Sequence, residues 1–283
     1  MRYAFKLRSV AVNILLMLIV VSTFRTYAQQ NIKVILSPGY MGANAFPVPR
    51  VSDARVGENK LVELSLETHW EFSHEISINP RANALIPWGS LVALKILFEP
   101  FEYYNTSNWL KDQRYASSKN GFAKGDIYFG ALFNILHQPE NNFYLALNFL
   151  TKTASGNKLE DARHFNSPGY IFDLTAQQEL FPSFMAKITL SGYLAFLAWQ
   201  SQFNQQNDAV GFAVKVQSPF NKIKYGVEYA AYFGWQKKKD RPMVLRFEGI
   251  LPQKNSFDLF VRYSYGLQDQ IKHSLAFGST LFF

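Results

Sequence analysis

The sequence contains no cysteine. No disulfide can staple its loops and no thiolate can act as ligand or nucleophile, which excludes a cystine-rich secreted scaffold and a thiol enzyme. After residue 28 no run of 18 apolar residues occurs, so that part of the chain holds no helix of spanning length. No loop gathers carboxylates at ligand spacing: the most polar, Asn204-Gln205-Gln206-Asn207-Asp208, has one acid among amides, so neither metal nor cofactor is expected. No G-x-S-x-G elbow is present. His273 and Ser274 adjoin and would face opposite ways in a strand, so they form no dyad with each other.

What is present begins with an export signal. Arg2, Lys6 and Arg8 precede a nearly unbroken apolar stretch from Val10 to Val21, and Thr26-Tyr27-Ala28 fits a small-x-small cleavage site before Gln29. Residues 1–28 are therefore expected to be a cleaved signal peptide. They hold Arg2, Lys6, Arg8 and Arg25 and no acid, so their removal lowers the net charge of +8 to +4. With export, that small surplus argues against a nucleic-acid partner.

Residues 29–59 differ in character. Pro38, Gly39, Gly42, Pro47, Pro49 and Gly57 disfavour helix and central strand, so an extended lead-in is expected, periplasmic or tucked into a lumen. From residue 60 to 283 the apolar period is close to two. Ile223, Tyr225, Val227, Tyr229, Ala231, Phe233 and Trp235 alternate with Lys224, Gly226, Glu228 and Gly234; similar alternation recurs near 127–135, 170–179 and 257–266. These runs are long for soluble strands and suit tilted spanning ones. Aromatics make up 16% of residues, as the outer belt of a barrel requires.

Short breakers (at 137–141, 181–183, 219–221 and 251–255) alternate with longer ones (102–124, 154–168, 201–208, 236–242 and 267–272). That rhythm predicts an all-β, up-and-down transmembrane barrel of about 12 strands, with ten or fourteen as the alternatives. The first hairpin is placed within 61–78 and joined near His69-Trp70. The inward face is expected to carry Glu63, Glu67, Asp126, Lys152, Asp173, Glu179, Lys187, Lys215, Lys224, Glu228, Arg246, Glu248, Asp258 and Arg262, because a basic side chain facing lipid costs roughly 2–4 kcal/mol. They either form salt bridges that plug the barrel or line a conduit. In the loop after residue 152, Lys152, Ser155, Asp161, Arg163 and His164 are candidates for binding at an outer mouth.

The last strand places Phe277, Leu281 and Phe283 on one face. This resembles the C-terminal signature of outer-membrane barrels, which implies recognition by the barrel-assembly machinery and an outer-membrane lipid surround. Gly125-Asp126, with a hairpin partner ending Lys152-Thr153-Ala154-Ser155-Gly156, resembles outer-membrane barrels linked to the meta-pathway of phenol degradation and, more broadly, fatty-acid-transporter-like barrels. The overall style resembles exported barrels of Bacteroidota. The resemblance implies passage of hydrophobic small molecules. The expected function is a non-enzymatic channel for small solutes. The alternatives are a lipid- or lipopolysaccharide-modifying enzyme using His164 and a structural or assembly partner.

Overall fold

In the computed structural model, residues 34–57, 59–72, 74–180, 187–200, 206–236, 239–253 and 257–283 are described. The expected signal segment and its cleavage site lie outside them. The alternating segments form β1 (Leu61–Glu71), β2 (Glu75–Trp88), β3 (Val92–Phe98), β4 (Glu102–Thr106), β5 (Asn120–Ala123), β6 (Ile127–Gln138), β7 (Phe143–Lys152), β8 (Gly169–Leu180), β9 (Ile188–Gln200), β10 (Gln206–Phe220), β11 (Ile223–Gly234), β12 (Met243–Pro252), β13 (Phe257–Gln268) and β14 (His273–Phe282). A short helix, α1 (Asn108–Gln113), lies between β4 and β5, its first turn capped by the Ser107 hydroxyl accepting from the Leu110 N–H.

Twelve of the strands pair antiparallel in sequence, and β1 pairs with both β2 and β14, which closes the sheet into a barrel. Closure leaves no unpaired edge within the twelve-strand ring. The β4–β5 hairpin stands outside this ring and extends β2 at Glu75–Ile78.

Alternation decides the two faces. Leu64, Leu66, Phe129, Phe172, Leu194, Val214, Val227, Phe247, Val261 and Phe277 are exposed on the outside, while Ala93, Ala146, Ala209 and Ala230 are buried on the inside. So much exposed apolar surface is stable against hydrocarbon and a liability in water. The strand connections are short at one end, where left-handed Asn142, Asn221 and Gly89 turn the chain tightly, and mostly long at the other.

The first hairpin departs from expectation. β1 runs straight through His69 and Trp70, and β2 starts at Glu75 and continues to Trp88. Pro80 argues against a strand in sequence. Here β2 pairs β4 up to Ile78 and β3 from Ala82, so Pro80 falls where the ladder on that side is already interrupted. The expected long loop 102–124 contains β4, α1 and β5.

The described part of the lead-in, residues 34–57, runs through the lumen. At the long-loop end the Gly39 N–H donates to the Lys239 carbonyl and the Gly42 N–H to the Ala162 carbonyl. It ends at the short-turn end, where the Ala54 N–H donates to Gln177 and Arg55 pairs with Glu179. There Ala54 and Val56 pack with Ala93, Leu132, Tyr144 and Ala146. Its prolines deny it a ladder, so wall side chains satisfy backbone groups instead: Tyr193 donates to the Pro49 carbonyl, Arg246 to those of Val48 and Pro49, and the Val51 N–H donates to Glu228.

Candidate functional site in the barrel lumen

Strand register sets opposite charges side by side on the inner wall. Glu228 on β11 faces Arg246 on β12, and Glu248 on β12 faces Arg262 on β13. Arg246 is ion-paired with Glu228, Arg262 with Glu248 at 2.6 Å, and Lys215 reaches Glu248 at 2.9 Å. Across the barrel closure Arg262 also reaches Glu63 on β1 at 2.8 Å. Arg50 of the lead-in joins the same carboxylate at 3.2 Å. On the other side Arg81 of β2 pairs with Glu67 at 3.2 Å and with Glu99. Opposite-charge pairs at such register positions support sheet pairing, and removing one partner of a buried pair is costly.

Two cavities lie beside the lead-in. The larger, about 290 Å³, is lined by residues that include Arg50, Glu63, Arg81, Lys95, Glu99, Lys215, Glu228, Arg246, Glu248 and Arg262. The smaller, about 100 Å³, is lined by residues that include Glu67, His69, Gln270, Ser274 and the same four arginines. The guanidinium groups are thus shared walls between the two spaces.

A polar relay ties the lead-in to the wall here. Arg81 can only donate, so Asn44 turns its oxygen to it, and the Asn44 amide NH₂ donates to the Asn79 oxygen at 3.1 Å. That oxygen then accepts from His69 Nε2 at 3.0 Å, which leaves Nδ1 to accept the Ser274 hydroxyl at 2.7 Å. One arginine therefore sets the tautomer of a buried histidine three hydrogen bonds away.

A second cluster closes the long-loop end. Arg163 pairs with both Glu75 and Glu102, Arg114 with Glu75 at 2.7 Å, and Lys152 with Asp126 at 3.0 Å. His164 sits between Asp126 at 3.3 Å and Glu102 at 3.4 Å. All these groups are buried. Burial disfavours the imidazolium, but the hydrogen bonds and charges of Asp126 and Glu102 outweigh it and push the His164 pKa up to about 9. Phe46 of the lead-in stacks on Phe165 at 4.6 Å and meets Trp199 edge-on. Gly42 lets the lead-in pass: a Cβ there would lie 2.5 Å from the Arg163 guanidinium carbon.

Glu63, Glu67, Asp173, Glu179, Lys215, Glu228, Arg246, Glu248 and Arg262 project inward around the lead-in and its cavities. Asp173 is held by Asn148 and Thr175, and Lys187 pairs with Glu179 at the short-turn end. Lys224 and Asp258 share the inward face by alternation near that end. Asp126 and Lys152 belong to the long-loop cluster. The outer-mouth expectation needs correction. Lys152, Asp161, Arg163 and His164 are buried, and half-buried Ser155 accepts from the Ile127 N–H and is hydrogen-bonded to the Thr153 hydroxyl. Glu75 and Glu102 demand a cation between them, which draws Arg163 inward. Arg50, Arg81, Lys95 and Glu99 were missed: the misplaced first hairpin hid Arg81, and the proline-rich lead-in gave no periodicity to place Arg50. Charged residues within an otherwise apolar stretch, Lys95 and Glu99, were the available signal.

No protein-family model matches the chain, and no curated protein matches it in sequence. Among solved structures, an outer-membrane channel from Pseudomonas putida F1 is similar over 85% of this chain and 98% of its own, at 11% identity and a TM-score of 0.57. The NanC porin is similar over 77% of this chain and 98% of its own, at 9% identity and a TM-score of 0.50. Both likenesses concern the fold, a closed antiparallel barrel.

Proposed function

We propose that the protein is an outer-membrane channel that passes small solutes through a lumen of mixed charge, narrowed by its own N-terminal segment. The single observation that carries this reading is the pair of cavities lined by charged side chains inside a barrel whose outside is apolar. A barrel filled only for stability would pack apolar or fully buried groups there; these walls keep Arg50 and Lys215 partly accessible. The charged lining favours polar solutes over the hydrophobic ones implied by the phenol-pathway resemblance. The barrel folds of the Pseudomonas channel and of the NanC porin support the same reading by analogy.

Export by a cleaved signal, insertion through Phe277, Leu281 and Phe283 by the assembly machinery, and an origin in Bacteroidota belong to this proposal. Phe277 and Phe283 are exposed on the outer face, where an assembly factor could read them. The enzyme alternative loses its motive, since His164 is enclosed by Asp126 and Glu102. Purified protein in planar bilayers is expected to give single-channel steps, and in liposomes to admit small polar solutes. A folded barrel that neither conducts nor admits solute overturns the proposal.

A further inference from the structure

The smaller lumenal cavity has an uneven charge. Its walls present Arg50, Arg81, Arg246 and Arg262 against one carboxylate, Glu67. The carboxylates that balance these arginines, Glu63, Glu99, Glu228 and Glu248, line the larger cavity instead. A solute in the smaller space is bordered by four arginines and one glutamate, the arginines' other carboxylate partners lining the larger space.

The arginines also differ in how fully they are used. Arg262 donates to Glu63 and Glu248, Arg246 to Glu228 and two carbonyls, and Arg81 to Glu99 and Asn44 while also paired with Glu67. Arg50 makes one hydrogen bond among the described residues, from Nη2 to Glu63 at 3.2 Å, and it shares that carboxylate with Arg262. Two cations thus lean on one acid, and the Nε and Nη1 donors of Arg50 remain for another acceptor. Ser264, Gln270 and Ser274 line the same space and add neutral polar groups. Planar guanidinium donors grouped around a small polar cavity are suited to carboxylate and phosphate oxygens.

We propose that this cavity is an anion subsite, with Arg50 as its principal ligand, which selects small carboxylate- or phosphate-bearing solutes. The proposal rests on the channel reading for its transport consequence and on the cavity alone for binding. It adds a solute class to a function that names none.

Two measurements on the purified protein separate these levels. In planar bilayers under a potassium chloride gradient, the reversal potential is expected to show chloride preferred over potassium. Arg50→Gln should bring the preference close to unity, Arg50→Lys should keep most of it, and Glu63→Gln should increase it. Lys111→Gln, on α1 and lining neither cavity, should leave it unchanged. In detergent, calorimetric titration with inorganic phosphate is expected to show saturable binding that weakens about tenfold or more in Arg50→Gln. Heat-modifiable gel mobility verifies that each variant is folded. Phosphate binding without conductance sinks the channel reading and keeps the subsite. Conductance with no anion preference and no phosphate binding overturns the subsite and keeps the channel. An Arg50→Gln barrel that is folded and equals the parent in both assays also overturns it.

Discussion

The lumen holds two arginine–glutamate clusters built from the same residue types, and they do different things. At the long-loop end, Arg163 and its two glutamates are buried and line neither of the two cavities, and they fasten the loops at 99–126 and 153–168 together. In mid-lumen, Arg50, Arg246 and Arg262 make similar pairs but border open space. The difference is solvation. Charges withdrawn from water need every partner they have and resist separation; charges that border a cavity keep donors available for a solute.

The comparison is tested most severely by Arg163→Met. It leaves Glu75 and Glu102 buried with less compensation, and a loss of about 3–5 kcal/mol in denaturant unfolding from micelles is expected. A variant as stable as the parent would show that water reaches this cluster. Next comes Gly42→Val, which drives a side chain into the Arg163 guanidinium. About 1–3 kcal/mol of destabilisation is expected, together with a rise in conductance as the lead-in loosens. Unchanged conductance would mean that the lead-in does not limit the pore.

A smaller effect is expected from pH. The His164 pKa in the fold, about 9, lies above its unfolded value of about 6.5. Its stabilising contribution is therefore complete below about pH 6.5 and is lost as pH rises through 9. Unfolding midpoints of the parent should fall between pH 7 and 10, while those of His164→Gln should fall less over the same range; parallel curves would remove the imidazolium from the latch. The smallest change is assigned to Arg55→Gln. Arg55 is substantially exposed beside Asp53, and Glu179 keeps Lys187, so a shift below about 1 kcal/mol is expected in the same unfolding assay.

Much of the wall could be read without coordinates. The inward positions of Glu228, Arg246, Glu248 and Arg262 follow from alternation, because a period of two leaves a side chain only two directions. The outward Phe and Val positions follow from the same rule. The course of β2 could not be read that way. Pro80 signals a break locally, and only the exchange of partners from β4 to β3 makes room for it. His164 and Arg163 read in sequence as candidates for binding at an outer mouth, since nothing nearby reveals that Glu75 and Glu102, many residues earlier, meet them.

Composition and period alone determined a barrel with a greasy outside, a charged inside and a proline-rich segment unable to join the sheet. Whether the inner charges face each other, a solute or the lead-in was decided by tertiary structure. Alternation specifies a face, whereas partnership across a lumen depends on register, barrel closure and the path of residues 34–57, which bring together groups up to about 200 positions apart.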